Sequence, residues 1–165
     1  LESMVLRTPS NSLYVEFFTA CGANATPMSF SEVYNALQLN TLDGQENPVD
    51  VPATNNFYEV QKYISISNHV YEAFTWMANS NNFNKLNADT QALIRECVEE
   101  ACKEMNQTLI AEEADLKTKF AEENGCEIYE FTDEDVAEFT AVVQPVIDEY
   151  KEIYGADACA AFGIE

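Results

Sequence analysis

The sequence predicts an α/β fold, and three features predict it. Short runs rich in β-formers alternate with segments of helical periodicity. Turn residues stand at the junctions: Pro9, Gly22, Asn40 and the pair Asn124–Gly125. One stretch, Asp89–Glu123, contains neither Gly nor Pro and keeps Ile94, Val98, Ala101, Met105, Leu109, Leu116 and Phe120 in a helical stripe.

Taken in order, MVLRT (Met4–Thr8) reads as a strand that Pro9 ends. Ser10 or Ser12 caps a helix over LYVEFFTAC, and Gly22 is its left-handed stop. NATPM reads as a short buried strand. Ser29 with Glu32 three residues on has the pattern of a capping box. The helix behind it places Phe30, Val33, Tyr34 and Leu37 on one face, and Asn40 closes it. TLDGQEN is the next strand and its exit, with Gly44 allowing the turn. DVPATNNFYEV predicts a short helix and a loop. YISISNHVY predicts a strand that contains His69, and EAFTWMAN continues extended as a second strand. SNNFNKL is a turn of helix. A helix over Asp89–Glu123 is about 50 Å long at 1.5 Å per residue. A compact domain of this size has a radius of gyration of about 15 Å. Such a helix must reach past its own domain or run beside a second one. Asn124–Gly125 stops it, and CEIYEF is a strand. Thr132 with Asp135 opens another helix, with a kink expected at Pro145. ADACAAFGI is a last short helix.

The 165 residues are enough for an ordinary domain with a core, and 47% of them are apolar, which excludes a disordered chain. Eight basic residues face 29 acidic ones, a formal net charge of −21. That field repels nucleic acid and anionic lipid and excludes both as partners. Any anion bound here must be held by a few well-placed donors. No segment approaches the roughly 18 apolar residues that span a bilayer. The opening LESMVLRTPSN has neither the basic nor the apolar region of a signal peptide. The cysteines are Cys21, Cys97, Cys102, Cys126 and Cys159, with no CxxC pair. They read as small buried apolar side chains, with a Cys126–Cys159 bridge as the alternative.

No catalytic motif stands out. His69 is the lone histidine and has no Cys or Ser partner signature, so a structural, hydrogen-bonded role is expected. DGQENPVD lacks the alternating ligands of a calcium loop, and no metal or cofactor is expected. Asp43 and Glu46 could serve as acid and base, but acids are plentiful here. The scarce charge is positive, and only Arg7 and Arg95 carry guanidinium groups. Arg95 lies early on the long charged helix and is expected to face solvent. Arg7 ends an apolar strand, where open α/β sheets bind their ligands, and its planar fork matches a carboxylate. Asn47 ends another strand, and Phe30 begins the helix between the two. Arg7, Phe30 and Asn47 together make an anion clamp, an apolar wall and an amide, the composition of a small-ligand pocket. Asp43 and Glu46 are expected to fasten the strand exit.

The stretch PMSFSEVYNALQLNTLDGQENP, followed by FYEVQKYISISNH, closely resembles the substrate-binding subunit of TRAP transporters, the DctP-like solute-binding proteins. The family pattern runs P-x-x-F-x-E-V-Y-x-A-L-Q-x-x-x-x-D-G-x-E-N-P, and LRTPSN resembles its arginine strand. The resemblance implies one lobe of a two-lobed periplasmic-binding-protein-like fold, with a long helix that would span both lobes. It implies a periplasmic or lipid-anchored extracytoplasmic receptor, not an enzyme, that delivers a small organic acid to TRAP permease membrane subunits. Arg7 resembles the arginine that pairs with the ligand carboxylate, Asn47 the ligand-contacting asparagine and Phe30 the aromatic packed on the ligand. Family members are about twice as long, so a C-terminal fragment is implied. Residues 1–72 and 113–165 would form the second lobe, and 73–112 an excursion into the first. Phe74, Trp76 and Met77 would then be exposed, favouring self-association. Two competing functions are a carboxylate enzyme using Asp43 and Glu46, and a helical interaction module built on Asp89–Glu123.

Overall fold

The computed structural model describes residues 1–71 and 74–164. Five strands and seven helices follow one another: β1 (Val5–Thr8), α1 (Ser12–Ala20), β2 (Asn24–Pro27), α2 (Phe30–Gln38), β3 (Gly44–Gln45), α3 (Asp50–Thr54), β4 (Tyr63–Ile66), α4 (Ser80–Phe83), α5 (Ala88–Glu122), β5 (Glu127–Glu130), α6 (Asp133–Tyr154) and α7 (Ala156–Ala161). A single 3-10 turn, Phe57–Glu59, precedes β4.

All strand pairs are parallel. One sheet has the order β2-β1-β3, and β4 pairs with β5 in a second. The connection through α1 moves from β1 to one neighbour, and the connection through α2 crosses back over β1 to the other side. Right-handed crossovers in opposite directions place their helices on opposite faces. Two apolar clusters record this. Leu6 packs with Phe18 and Ala23 on the α1 side. On the other side Val33, Ala36 and Leu37 of α2 pack with Leu42 and Phe57, and Val5 adjoins them. Side chains alternate along a strand, so Arg7 falls on the α2 face with Val5, and Thr8 on the α1 face with Leu6.

Several local expectations are corrected. Asn11, not Ser10 or Ser12, caps α1. Its side chain accepts from the Leu13 amide at 3.0 Å, while the Ser12 hydroxyl is drawn to that of Tyr150 at 2.8 Å on α6. Gly22 does take the left-handed conformation, at φ 86°. Ser29 caps α2 without a side-chain bond, because its hydroxyl meets that of Ser31, so the capping box with Glu32 does not form. β2 is not buried: Asn24 and Pro27 are exposed, as suits the edge of the described sheet. The strand in TLDGQEN is only two residues long. His69 lies beyond the end of β4. Phe74–Asn79 form no strand, and Glu72 and Ala73 of that expected strand lie outside the described residues. α6 runs unbroken through Pro145, where a kink is expected. The box at its start does form: Thr132 and Asp135 exchange side-chain and backbone bonds, and the Tyr129 hydroxyl donates to Asp135 at 2.8 Å. All five cysteines are free thiols, so Cys126 and Cys159 are not bridged. Only Cys126 is buried, and Cys97 is exposed.

α5 spans 35 residues and is opened by the Asn87 side chain at the Thr90 amide. Phe120 is its one buried residue, beside Tyr58 with ring centroids 6.2 Å apart. Lys117 holds the same end by bridging Glu113 and Glu130. Towards its start the helix stands clear of the body, with Leu93, Ile110 and Met105 exposed. Arg95 is exposed as expected, with its guanidinium over the Phe83 ring at 5.0 Å. Phe74, Trp76 and Met77 are exposed as well.

Candidate ligand-binding site

β1 ends on Val5–Leu6–Arg7–Thr8, and the strand carries the guanidinium of Arg7 into the sheet with only 6% exposure. Two contacts orient it. Nε donates to the Met28 carbonyl at 3.0 Å, and Cζ lies 5.9 Å from the centroid of the Phe30 ring. With Nε committed, the terminal Nη edge is the part of the fork open to a carboxylate. Burial pushes the Arg7 guanidinium below its usual pKa, and the Glu46 carboxylate opposes that shift. An arginine stays charged regardless at physiological pH.

Phe30 begins α2, is 40% exposed, and rests on Phe57 with centroids 5.8 Å apart. Phe57 and the Arg7 guanidinium both pack on the ring, and part of it remains exposed. Asn47 follows β3 and is half-buried, and its amide nitrogen donates to the Gln45 side-chain oxygen. Gln45 pairs in register with Arg7. The three expected residues therefore gather at the carboxyl end of β1 and β3, on the α2 face of the sheet.

The two acids of DGQEN part company. Asp43 is scaffold, as expected, and accepts from the Val5 amide at 2.7 Å. Glu46 is not a simple fastener. It lies 3.7 Å from Nε2 of His69, too far for a hydrogen bond, and near enough to Arg7 to act on its charge. His69 is held as a structural residue would be: Nδ1 meets the Ser67 hydroxyl at 2.7 Å, and the ring lies against Phe17 and Phe18 of α1. Nε2 of His69 and Oγ1 of Thr8 are buried without a hydrogen-bond partner. Gln45 escaped the reading of single residues, and the place of Glu46 beside His69 and Arg7 was not foreseen. Period two was the available signal: it puts Gln45 with Asn47 on one face and Glu46 on the other. Among the described residues no group of three His, Cys, Asp or Glu could hold a metal ion, and no helix is long and apolar enough to cross a membrane.

A buried cation pinned at a sheet end, with an apolar ring and an amide beside it, has the composition of a small-ligand pocket wall. Comparison with known proteins makes the class specific. The model of the bacterial extracellular solute-binding proteins, family 7 (DctP), matches residues 1–153. The sialic acid-binding periplasmic protein SiaP of Vibrio cholerae is 32% identical over 93% of this chain and 47% of its own length. Among solved structures, the sugar acid binding protein DctPAm of Advenella mimigardefordensis, in complex with galactonate, superposes with a TM-score of 0.84 at 32% identity, covering 92% of this chain and 48% of that one. A TRAP periplasmic solute binding protein of Polaromonas, bound to D-erythronate, gives a TM-score of 0.88 at 28% identity, covering 97% of this chain and 52% of that one.

The chain belongs to the bacterial extracellular solute-binding proteins of family 7. It spans about half the length of the relatives it matches, and its architecture is that of one lobe of a two-lobed fold. These relatives are binding proteins rather than enzymes, and the Polaromonas protein is a TRAP periplasmic solute binding protein. The acid–base reading of Asp43 and Glu46 is thereby set aside, and Asp43 is occupied in the scaffold.

Proposed function

We propose that this chain forms the second lobe of an extracytoplasmic solute-binding subunit of a TRAP transporter, periplasmic or lipid-anchored. It captures a small organic acid and passes it to the membrane permease subunits. Residues 1–72 and 113–165 make the lobe, and 73–112 reach towards the other one. The ligand carboxylate pairs with the Nη edge of Arg7, Phe30 packs on its carbon skeleton, and Asn47 supplies the amide contact. The single observation that carries this reading is Arg7. In a chain of net charge −21, one arginine is only 6% exposed, anchored through Nε and left without an ion pair to an acid among the described residues. Glu46 lies on the opposite face and does not form an ion pair with it within 4.0 Å among the described residues. The matched relatives support an acid as ligand: SiaP is named for sialic acid, and the two solved structures hold galactonate and D-erythronate.

The exposed side chains of Phe74, Trp76 and Met77 belong, in this reading, against the other lobe. Where nothing covers them they favour self-association. Sedimentation velocity on the chain tests this point, and a monomer at all concentrations would contradict it.

A screen of organic acids against the 165-residue chain, read by side-chain NMR shifts at Arg7 and Asn47, tests the assignment. Sugar acids and short hydroxy acids should move both resonances, while the matching neutral alcohols should not. Shifts that avoid both residues would overturn it.

A further inference from the structure

Gln45 makes none of the proposed ligand contacts, yet the geometry around it is specific. Gln45 pairs in register with Arg7 across the β1–β3 ladder, so the two side chains leave neighbouring strands on the same face. Neighbouring strands stand about 4.8 Å apart, which sets the spacing of these side chains at their roots. Asn47 lies two residues further along the same strand direction and therefore shares that face. The Asn47 amide nitrogen donates to the Gln45 side-chain oxygen. Glu46, between them, points to His69 on the other face.

An asparagine amide can rotate about its χ2 axis between two orientations that exchange a donor for an acceptor, and a fixed partner is what selects one of them. Gln45 is the partner of Asn47. It takes one hydrogen of the Asn47 NH2 group and leaves the second hydrogen and the Asn47 oxygen for other contacts. Phe30 and the Met28 carbonyl perform the corresponding task for Arg7. Asn47 and Arg7 are thus each held by a neighbour, Gln45 and the Met28 carbonyl, that need not touch the ligand.

We infer that Gln45 is a positioning residue for solute recognition: its side chain holds the Asn47 amide in place on the face of the sheet that carries Arg7. This rests on the reading of Arg7 and Asn47 as the carboxylate site.

A double-mutant cycle on the 165-residue chain tests the inference, with D-galactonate as the probe and NMR titration as the readout. Gln45→Met keeps the length of the side chain and removes the oxygen. It should weaken galactonate binding about three- to tenfold, the worth of one hydrogen bond, while leaving the thermal midpoint near that of the unaltered chain. The Asn47 side-chain amide should become mobile, with an order parameter falling below about 0.6. Gln45→Asn, one methylene shorter, should restore neither. In the Asn47→Ala background, Gln45→Met should cost nothing further, because its whole effect passes through Asn47. Equal losses from Gln45→Met with and without Asn47 would overturn the inference and mark Gln45 as a direct contact or a structural residue. An Asn47 amide equally ordered in Gln45→Met would overturn it too. If Asn47→Ala alone leaves galactonate binding unchanged, the reading of Asn47 as a ligand residue fails, and the role of Gln45 fails with it. If Asn47→Ala weakens binding and Gln45→Met does not, only the role of Gln45 fails.

Discussion

Replacing Arg7 by Met should abolish carboxylate binding while leaving the lobe folded. The residue is only 6% exposed, and its Nε donates to the Met28 carbonyl. Met fills a similar volume over Phe30 and removes a charge whose burial is unfavourable, so the fold should tolerate the exchange. Binding should not tolerate it. Two charge-assisted hydrogen bonds from the Nη edge contribute about 1.5–3 kcal/mol each. The exposed part of the Phe30 ring contributes about 1 kcal/mol more from apolar contact. Loss of translational and rotational freedom costs at least about 4 kcal/mol. At most about 3 kcal/mol remains, a dissociation constant of several millimolar or weaker for this lobe alone. Losing both arginine bonds leaves no net attraction. The assay is a heteronuclear NMR titration with D-galactonate to roughly 100 mM, a range that captures binding this weak. Arg7→Met should show no saturable shift at Asn47. Arg7→Lys should fall between the two proteins, since it keeps the charge and loses both the fork and the bond to Met28. Saturation of Arg7→Met at the same concentration as the unaltered chain would refute the reasoning. So would micromolar binding by the unaltered chain, because one wall would then supply far more than these contacts can.

Four further outcomes concern stability. Phe120 is 2% exposed and packs beside Tyr58 where α5 meets the lobe, so Phe120→Ala should cost about 3–5 kcal/mol in chemical denaturation, and a loss below about 1 kcal/mol would contradict its place in the core. Thr132→Ala should cost about 1 kcal/mol by opening the box at the start of α6. The same box makes stability depend on acid: bonds from Thr132 and Tyr129 hold the Asp135 carboxyl below the usual carboxylate range, so its contribution is complete above about pH 4 and disappears as pH falls through the lower folded value. Asp135→Asn should flatten that part of the acid-unfolding curve, and an unaltered curve would contradict it. With 29 acidic against eight basic residues, self-repulsion dominates the surface. Raising salt from roughly 10 mM to 1 M shortens the screening length from about 30 to 3 Å, and the thermal midpoint should rise; a fall would show that ion pairs such as Lys117 with Glu113 and Glu130 matter more than the net field.

What the sequence by itself determined is whatever depends on near neighbours. The alternation of strands and helices, the stripe of α2 through Val33 and Leu37, the left-handed stop at Gly22 and the box of Thr132 with Asp135 were all legible, because spacing within one element decides them. Arg7 was legible for another reason: in so acidic a chain an arginine at the end of an apolar strand is conspicuous in composition alone. Caps were less so. Ser29 has the right pattern, yet its hydroxyl found Ser31, and Ser12 was claimed by Tyr150 138 residues away, which left the cap to Asn11. Only the tertiary structure decided which side chains share a face and a partner. The β1–β3 register put Gln45 beside Arg7, and the pleat sent Glu46 across the sheet to His69. β1 and β3 are brought together by a crossover of more than thirty residues, with Asp43 bonded to Val5 at a separation of 38. That pairing depends on the packing of α1 and α2 against opposite faces, which no local spacing encodes.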